Sequence, residues 1–315
     1  MSQHAQGVTP VISSTGLFTP SDTISNEELV ASFNAYADRY NAANPDAEPL
    51  THSSVEFVEK ASGIKSRHVM DKSAIVDPDI MEPRYPERPN DQISLMAEIG
   101  VAACRDALER AGRSIEDVDA VLCAASNMQR AYPAMAVEIQ HALGMQRGFG
   151  FDMNVACSSA TFSMQAAVDA LRNGSAKCVV VVNPEITSGH NNFELRDFHF
   201  IFGDACTALV LERTDEALSD GSGDHGRWDV LGTKLATQFS NNIRNDFGFL
   251  NESEDGERDP HEVVFRQNGQ SVFKEVCPLV VKHITAHLAE VGVEATDVRR
   301  FWFHQANLKM NQLIA

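Results

Sequence analysis

The chain has 315 residues, of which 43% are hydrophobic and 22% charged, a composition typical of a soluble globular protein with one or two domains. Its 26 Lys and Arg residues are outnumbered by 44 Asp and Glu residues, and the formal net charge of −18 disfavours nucleic acid as a partner. No apolar run approaches the roughly 20 residues of a membrane-spanning helix, and the first residues do not resemble a signal peptide. The six cysteines have no paired short spacings, which argues against a disulfide framework or zinc site and predicts a cytoplasmic protein.

Strand and helix signals alternate along the chain, which indicates a layered α/β fold with mainly buried sheets. Strands are predicted at residues 8–13, 120–125, 177–182, 198–212 and 300–303. Helices are predicted at residues 25–40, 54–61, 91–110, 132–144, 158–172 and 272–290, the first opened by a capping box of Ser25 and Glu28 and the third capped by Asp91. An irregular excursion is predicted at residues 71–90, the main linker at residues 213–229, and an acidic loop at residues 251–260.

The chain also contains a weak internal repeat. Residues 107–127 align without gaps on residues 287–307, and each segment has a helix, a glycine stop, an Asp-Val turn, an apolar strand and an asparagine. The match predicts two halves of one duplicated architecture, at residues 1–217 and 218–315. Because the first half continues well beyond its asparagine and the second does not, we expect the second half to be truncated at its C-terminus.

Cys157 stands where a strand-like run ends and an alanine-rich helical run begins. A cysteine at a helix N-terminus lies at the positive end of the helix dipole, which favours the nucleophilic thiolate. The competing interpretation is a small residue that packs a strand–helix corner, since an unpaired cysteine is often inert.

His304 and Asn307 follow the predicted strand at residues 300–303, where polar side chains could face a cleft. If the two halves pack symmetrically, His304 could approach Cys157. A Cys/His pair suits acyl transfer, because a thiolate attacks a thioester while an imidazole handles protons or binds a developing oxyanion. A histidine that only satisfies the end of a strand is the alternative, and the spacing alone leaves both open.

Four segments together resemble one enzyme family, β-ketoacyl-acyl-carrier-protein synthase III. They are, in chain order, Val155-Ala156-Cys157-Ser158-Ser159-Ala160, Ile201-Phe202-Gly203-Asp204, Asn268-Gly269 with Val272-Phe273-Lys274, and His304-Gln305-Ala306-Asn307-Leu308-Lys309. The resemblance implies a thiolase-like duplicated five-layer α-β-α-β-α fold and a homodimer. It also implies a decarboxylative Claisen condensation of an acyl-CoA starter with malonyl-acyl-carrier protein, in fatty acid biosynthesis or a related pathway. No cofactor is expected beyond the CoA and phosphopantetheine carried by the substrates.

The resemblance also assigns catalytic residues. Cys157 matches the nucleophile that holds the acyl group, and His304 matches the histidine that stabilises the enolate formed by malonyl decarboxylation. Asn307 matches a supporting residue of the same motif. The family's catalytic asparagine, in a Gly-Asn-Thr loop, is expected about 30 residues beyond Asn307, past Ala315.

Five further residues match substrate-binding positions of the family. Phe57 stands where a tryptophan usually stacks on the CoA adenine, so a weaker stack is expected. Arg196 matches an arginine near the nucleotide. Lys274 and Lys309 match a basic patch at the tunnel mouth that would attract phosphopantetheine and an acidic carrier protein, although ordinary solvated lysines are the alternative. Tyr132 replaces a gating aromatic residue of the acyl tunnel, commonly at the dimer interface.

Two segments, at residues 25–57 and 237–262, are longer than is usual in the family, which favours a longer or unusual acyl starter over acetyl-CoA. A thiolase-fold relative with a different acceptor, such as acyl-CoA or acetoacetyl-CoA, is the first alternative function. A non-condensing partner subunit is the second, although the presence of both Cys157 and His304 argues against it. A metal site at His283 and His287 lacks an evident third ligand.

Overall fold

The computed structural model describes residues 8–213, 226–245, 264–305 and 307–315, which separate into two compact units. Unit 1 comprises Met1–Thr19, Pro86–Glu185 and Ala205–Leu235, and unit 2 comprises Pro20–Tyr85, Ile186–Asp204 and Ala236–Ala315. Each unit is therefore assembled from segments that are distant in the sequence. The predicted boundary at residue 217, the predicted acidic loop and most of the predicted linker lie outside the described residues, so the division into halves stays a prediction.

The strands are β1 Pro10–Phe18, β2 Asp22–Ser25, β3 Ser66–Val69, β4 Ala120–Ala124, β5 Phe149–Met153, β6 Cys178–Ile186, β7 Asp204–Arg213, β8 Trp228–Asp229, β9 Ile243–Arg244 and β10 Arg266–Gln267. The helices are α1 Asn26–Ala43, α2 Val55–Ser62, α3 Lys72–Ile75, α4 Leu95–Ala111, α5 Met135–Leu143, α6 Ser159–Asn173, α7 Gly269–Val291 and α8 Leu308–Ile314. Unit 1 is built on a six-stranded sheet in the order β5-β4-β6-β7-β1-β8. Strand β4 pairs in parallel with β5 and β6, whereas β1 pairs antiparallel with β7 and β8.

Both faces of the sheet in unit 1 are covered by helices. Val179 and Val181 of β6 pack in one cluster with Leu171 of α6. On the other face, Gly100 of α4 lies beside Ile139 of α5 and Val182 of β6. The continuously apolar β6 is thus buried on both sides, as predicted. Because β4, β5 and β6 are parallel, their carboxyl ends meet at one edge, where the residues that follow them can form a site.

Helix α4 approaches β1 so closely that a glycine is needed between them. A Cβ built on Gly16 would lie 2.2 Å from the Ala103 carbonyl oxygen and 2.5 Å from the Ala107 amide nitrogen. These are backbone atoms of a helix and cannot move without shifting it. The hydroxyl of Ser14 strengthens the same contact by donating to the Ala107 carbonyl at 2.6 Å.

Gly16→Ala is therefore expected to lower the free energy of unfolding by about 3 kcal/mol or more, the upper end of the usual range for overpacking a core. Denaturant unfolding followed by circular dichroism measures the change. Gly269→Ala is the matched control, because among the described residues no atom outside its own helix backbone and chain neighbours lies within 4 Å of a Cβ at that position. Equal unfolding midpoints for the two variants would contradict this account of the contact between helix and strand.

Unit 2 begins with local signals that the sequence predicted. Ser25 and Glu28 form the expected capping box at the start of α1, and Gly63 ends α2 in the left-handed conformation with φ 83°. Strands β2 and β3 pair antiparallel. The core of this unit is a cluster of fully or nearly buried side chains: Ile24, Leu29, Phe33, Ala37, Val58, Val69, Ile75, Met81, Phe193 and Phe200.

The internal repeat is visible in the backbone. Gly112 after α4 and Gly292 after α7 are both left-handed, with φ 63° and 71°. In each copy the next residue donates its amide to a leucine carbonyl, from Arg113 to Leu108 and from Val293 to Leu288, both at 3.0 Å. A 3₁₀ turn follows in each case, at Ile115–Asp117 and Ala295–Asp297. The predicted sequence of helix, glycine stop and turn is confirmed in both copies.

The copies diverge after the turn, and the strand predicted at residues 300–303 is wrong. The first copy continues into β4, whereas residues 300–303 are irregular, with Trp302 81% exposed. A strand requires a neighbour to complete its hydrogen bonds, and within the described ranges no strand pairs with this segment. An apolar triplet alone therefore does not determine strand structure.

Two other predicted boundaries are also corrected. Helix α4 begins after Ser94 rather than Asp91, because the Ser94 hydroxyl accepts the amide of Ala97 at 3.1 Å. The predicted sheet segment at residues 198–212 is strand only from Asp204 onward. Its first part forms turns that bury Phe200 in the core of unit 2. In the part of the chain that the structure describes, no helix is long and apolar enough to span a membrane.

Candidate active site

Cys157 lies on a tight turn between β5 and α6, with its thiol on the surface of unit 1. Ala156, immediately before it, adopts the left-handed conformation with φ 47°, which is unfavourable for a residue with a Cβ. The amide of Ser158 donates to the Val155 carbonyl and the amide of Ser159 to the Ala156 carbonyl, both at 3.1 Å. This strand–turn–helix arrangement presents the cysteine at the edge where the parallel strands end.

The hydroxyl of Ser159 stabilises the turn through hydrogen bonds. This side chain is buried, accepts the Val155 amide at 2.7 Å, and lies 2.7 Å from the Ala156 carbonyl and 3.1 Å from the Ala125 carbonyl. One side chain thereby joins the turn to the end of β4. Sequence reasoning did not single out Ser159, although a serine at the first position of a helix after a candidate nucleophile is a signal for such a contact.

The electrostatic surroundings of Cys157 differ from the prediction. The surrounding protein desolvates the thiol and the Glu185 carboxylate repels a thiolate, so the pKa of Cys157 is raised above its ordinary value. Hydrogen bonding from the residue's own amide acts in the opposite direction but is weaker. Desolvation first, and the Glu185 carboxylate second, therefore oppose the thiolate that the position at the helix N-terminus favours. The resting cysteine is a neutral thiol.

His304 lies in unit 2, in the irregular segment before α8. Desolvation by the surrounding protein lowers the pKa of this imidazole below its ordinary value. The ring is therefore neutral at neutral pH, and one of its nitrogens can accept a proton or a hydrogen bond.

Asn307 has a structural role that can be read from its contacts. Its side-chain oxygen accepts the amide of Met310 at 3.1 Å and so caps α8, while its side-chain amide donates to the Ala61 carbonyl of α2 at 3.1 Å. Leu308 packs nearby, since a Cβ on Gly63 would lie 3.0 Å from it. Asn307 thus fixes α8 against α2.

Phe57 and Arg196 are brought together in unit 2. The guanidinium carbon of Arg196 lies 3.7 Å from the centroid of the Phe57 ring, a distance at which a cation–π interaction is favourable. Arg196 also donates from Nε to the His52 carbonyl at 2.9 Å, and Phe57 meets Phe200 edge to face at 5.9 Å. The guanidinium and the ring are already in contact at this distance, so a planar group would have to stack on an outer face of the pair or separate the two.

The other three predicted binding residues are solvent-exposed. Lys274 lies on α7 and Lys309 on α8, two helices that pack against each other in unit 2. Tyr132, which is 85% exposed, precedes Pro133 through a cis peptide bond, ahead of α5 in unit 1.

Cys157 and Tyr132 therefore belong to unit 1, whereas the remaining six predicted residues belong to unit 2. Within unit 2 the structure brings Phe57 to Arg196 and Asn307 to the helix that carries Phe57. The pairing of Cys157 with His304 stays a prediction. Among the described residues, no group of three or more His, Cys, Asp or Glu side chains is arranged to hold a metal ion, and no third ligand joins His283 and His287.

The candidate nucleophile lies on a strand–turn–helix elbow, at the edge of a mixed sheet that is covered by helices on both faces. This arrangement is typical of thiolase-like acyltransferases. The solved structure of 3-oxoacyl-(acyl carrier protein) synthase III from Pseudomonas aeruginosa matches 97% of this chain and 78% of its own with a TM-score of 0.71 at 20% identity, which confirms the predicted thiolase-like fold.

Sequence comparisons identify the family. The family model of 3-oxoacyl-[acyl-carrier-protein] synthase III matches residues 151–225. The β-ketodecanoyl-[acyl-carrier-protein] synthase of Pseudomonas aeruginosa is 54% identical over 289 residues, which are 90% of this chain and 81% of that protein. The β-ketoacyl-[acyl-carrier-protein] synthase III of Mesorhizobium japonicum is 30% identical over 90% of this chain and 78% of its own. The chain belongs to the β-ketoacyl-[acyl-carrier-protein] synthase III family of acyltransferase-type condensing enzymes.

Proposed function

We propose that the protein condenses an acyl-CoA starter with malonyl-acyl-carrier protein, releasing CoA and carbon dioxide and forming a β-ketoacyl-acyl-carrier protein. The observation that carries this proposal is the exposed thiol of Cys157 on its elbow, in a chain that belongs to this family. Nothing in the reaction requires a cofactor beyond the groups that the two thioester substrates carry.

The first half-reaction transfers the acyl group to the enzyme. The sulfur of Cys157 attacks the acyl-CoA carbonyl, the carbon–sulfur bond to CoA breaks, and CoA leaves as a thiol with the proton that Cys157 gives up. Because the pKa of Cys157 is raised, this proton must be removed as the sulfur attacks. The neutral imidazole of His304 is the proposed acceptor, consistent with its lowered pKa.

The second half-reaction forms the new carbon–carbon bond. Malonyl-acyl-carrier protein loses carbon dioxide, and the resulting enolate attacks the acyl carbonyl on Cys157, whose thiolate leaves and is reprotonated. The role proposed for His304 in this step is to hydrogen-bond the enolate oxygen.

The proposed starter is a medium-length acyl-CoA. The relative that is 54% identical is named for a ten-carbon product, β-ketodecanoyl-acyl-carrier protein. Each condensation adds two carbons from the malonyl group, so a ten-carbon product requires an eight-carbon starter. The helices α1 and α2 occupy the first of the two segments that are longer than usual in the family.

The contacts of unit 2 support binding of the CoA nucleotide and the carrier protein. The adenine is proposed to stack on Phe57 and Arg196, which requires the guanidinium to move off the ring that it now contacts at 3.7 Å. Lys274 and Lys309 are proposed to bind phosphate groups and the acidic carrier protein, since exposed lysines attract anions despite the net charge of −18.

The experiment is mass spectrometry of the intact protein after incubation with acyl-CoAs of two to twelve carbons. The expected result is an acyl group on Cys157, fastest with octanoyl-CoA, that is released as β-ketodecanoyl product when malonyl-acyl-carrier protein is added. Octanoyl-pantetheine, which lacks the nucleotide, is expected to react more slowly if Phe57 and Arg196 bind the adenine. Labelling at another residue, or a clear preference for acetyl-CoA, would contradict the proposal.

The protein is also proposed to be a cytoplasmic homodimer. Strand β5 is an edge of the sheet of unit 1, and Phe149 and Phe151 on it are 41% and 39% exposed. An open edge with exposed aromatic side chains favours pairing with a second copy. All six cysteines are free, which suits a reducing compartment. A monomer mass in analytical ultracentrifugation at micromolar concentration would contradict the dimer.

A further inference from the structure

Glu185 is a partly buried carboxylate near Cys157 that the acyl-transfer steps do not use. It lies at the carboxyl end of β6, one residue before the strand ends. Its two oxygens accept the amide of Ser126 at 2.7 Å and the hydroxyl of Ser126 at 2.6 Å. Ser126 follows β4, so this pair of hydrogen bonds joins the ends of two neighbouring parallel strands.

The same serine continues the connection to the third strand. Its carbonyl accepts the side-chain amide of Asn154 at 2.9 Å, and Asn154 follows β5. The side-chain oxygen of Asn154 in turn accepts the amide of Ala156 at 3.2 Å. An uninterrupted series of hydrogen bonds therefore runs from Glu185 through Ser126 and Asn154 to the residue that precedes Cys157.

Ala156 needs such support because its conformation is unfavourable. A residue with a Cβ in the left-handed region costs about 1–2 kcal/mol relative to the right-handed one. Such a conformation persists where neighbouring contacts hold it, and it recurs at functional sites. Ser159 holds the carbonyl side of Ala156, and Asn154 holds its amide side.

We propose that Glu185 is a positioning residue for the nucleophile, which acts through Ser126 and Asn154 to hold Ala156 in the conformation that presents Cys157. This inference rests on the proposed role of Cys157 as acyl carrier. The carboxylate fixes the position of Ser126, because its two oxygens accept the backbone amide and the hydroxyl of Ser126 at the same time.

The negative charge of Glu185 also acts on the thiol of Cys157. Desolvation and, after it, the negative charge of Glu185 raise the pKa of Cys157, while burial raises the pKa of Glu185 itself. The other titratable groups on the adjoining elements are directed elsewhere: Asp152 of β5 accepts the amides of Met135 and Ala136, and Asp169 of α6 accepts the side-chain amide of Gln165. Removing the charge of Glu185 should therefore lower the pKa of the Cys157 thiol.

The chain contains a matched control for this carboxylate. Glu138 of α5 binds Ser94 in the same way, accepting its amide at 2.6 Å and its hydroxyl at 2.9 Å, but Glu138 is not among the groups that shift the pKa of Cys157. The experiment compares Glu185→Gln and Glu185→Ala with Glu138→Gln and Glu138→Ala in the full chain. Two rates are measured at Cys157 by peptide mass spectrometry: alkylation by iodoacetamide as a function of pH, and acylation by octanoyl-CoA at neutral pH.

For Glu185→Gln we expect the alkylation profile to move to lower pH, because the shape is retained and the charge removed. Glu185→Ala should slow acylation roughly tenfold or more, because small misplacements of a reacting group are costly. Glu185→Gln should retain more of the acylation rate than Glu185→Ala. The double variant Glu185→Ala/Asn154→Ala should be no slower than the slower single variant, since both act through one series of contacts.

An unmoved alkylation profile in Glu185→Gln, parental acylation in Glu185→Ala, or an equal loss in Glu138→Ala would each overturn the inference. The alkylation profile needs no acyl donor. A parent protein that takes no acyl group would refute the proposed function, and slower alkylation of Cys157 in Glu185→Ala than in Glu185→Gln would still support the positioning role.

Discussion

Cys157→Ser is expected to slow acylation by octanoyl-CoA by roughly a thousandfold or more, the scale of losses seen when an essential nucleophile is removed. A serine hydroxyl is a far weaker nucleophile than a thiol, and no strong base adjoins it on the elbow. Its alkoxide is also a poor leaving group, so any acyl-serine would not pass its acyl group to the malonyl-derived enolate. Stopped-flow measurement of CoA release, with intact mass spectrometry, quantifies the loss.

The substitution should leave the fold unchanged, because the side chain is exposed and the hydrogen bonds described for the elbow are made by Asn154, Ser158 and Ser159 rather than by the Cys157 side chain. The thermal midpoint of Cys157→Ser should therefore equal that of the parent. Cys277→Ala is the control, since it removes a buried thiol of unit 2 and should leave acylation unchanged. Parental acylation of Cys157→Ser would mean that another residue carries the acyl group.

The parts of the fold that follow from adjacent residues were predictable from the sequence. The capping box of Ser25 with Glu28 and the glycine stop at Gly112 lie where the sequence predicted them, and the predicted helices at residues 54–61 and 158–172 end before Gly63 and Gly174. In each case the signal and the structure lie within one helical turn. The elbow that carries Cys157 belongs to the same group, because it required only a strand, a turn and a helix in succession.

The start of α4 shows why neighbouring residues are not always enough. The sequence predicted Asp91 as the cap, although serine is an equally good capping residue and Ser94 lies three residues further on. Ser94 caps the helix because Glu138, 44 residues further along the chain, binds its amide and hydroxyl. The tertiary contact between Glu138 and Ser94 therefore determines where α4 begins.

The electrostatics of the candidate site could not be predicted for the same reason. The sequence placed Cys157 near a helix N-terminus, which favours a thiolate, but the folded protein desolvates the thiol, and Glu185 repels a thiolate there because β6 lies in the same sheet as β4 and β5. The strand predicted at residues 300–303 failed in a related way, because a strand depends on a hydrogen-bonding neighbour that its own residues do not reveal. Long-range pairing, rather than residue type, determined both outcomes.

The largest effect of pH on stability is expected from His199, which lies fully buried in unit 2. Its ring packs between Phe33, at a centroid distance of 4.9 Å, and Phe200, at 5.6 Å. Burial, with smaller contributions from the positive charges of Arg67 and Arg196, lowers the pKa of His199 to about 3. The folded protein therefore keeps this ring neutral at a pH where an unfolded chain would protonate it.

The sign of the effect follows from this difference. Because the folded pKa is below the unfolded value of about 6.5, the contribution of His199 to stability is complete above pH 6.5 and is lost as the pH falls toward 3. The loss approaches about 1.4 kcal/mol per pH unit, or about 2 kcal/mol by pH 5. Urea unfolding at pH 7, 6 and 5 is expected to show a steeper fall for the parent than for His199→Gln, which has no group to titrate at this position.

The two proteins are compared by how steeply the free energy of unfolding falls with pH, rather than by its value at one pH. This comparison separates the protonation of His199 from the loss of its packing contacts. His199→Gln will be less stable at every pH, because glutamine loses the contacts with Phe33 and Phe200 and can replace only the hydrogen bond to Ser53. Carboxylates whose pKa is raised by burial, such as Asp204, are common to both proteins and cancel in the difference. His141→Gln is the control for replacing a histidine on the surface. If His199→Gln and the parent lose stability in parallel between pH 7 and 5, the buried ring is not the group that links folding to protons.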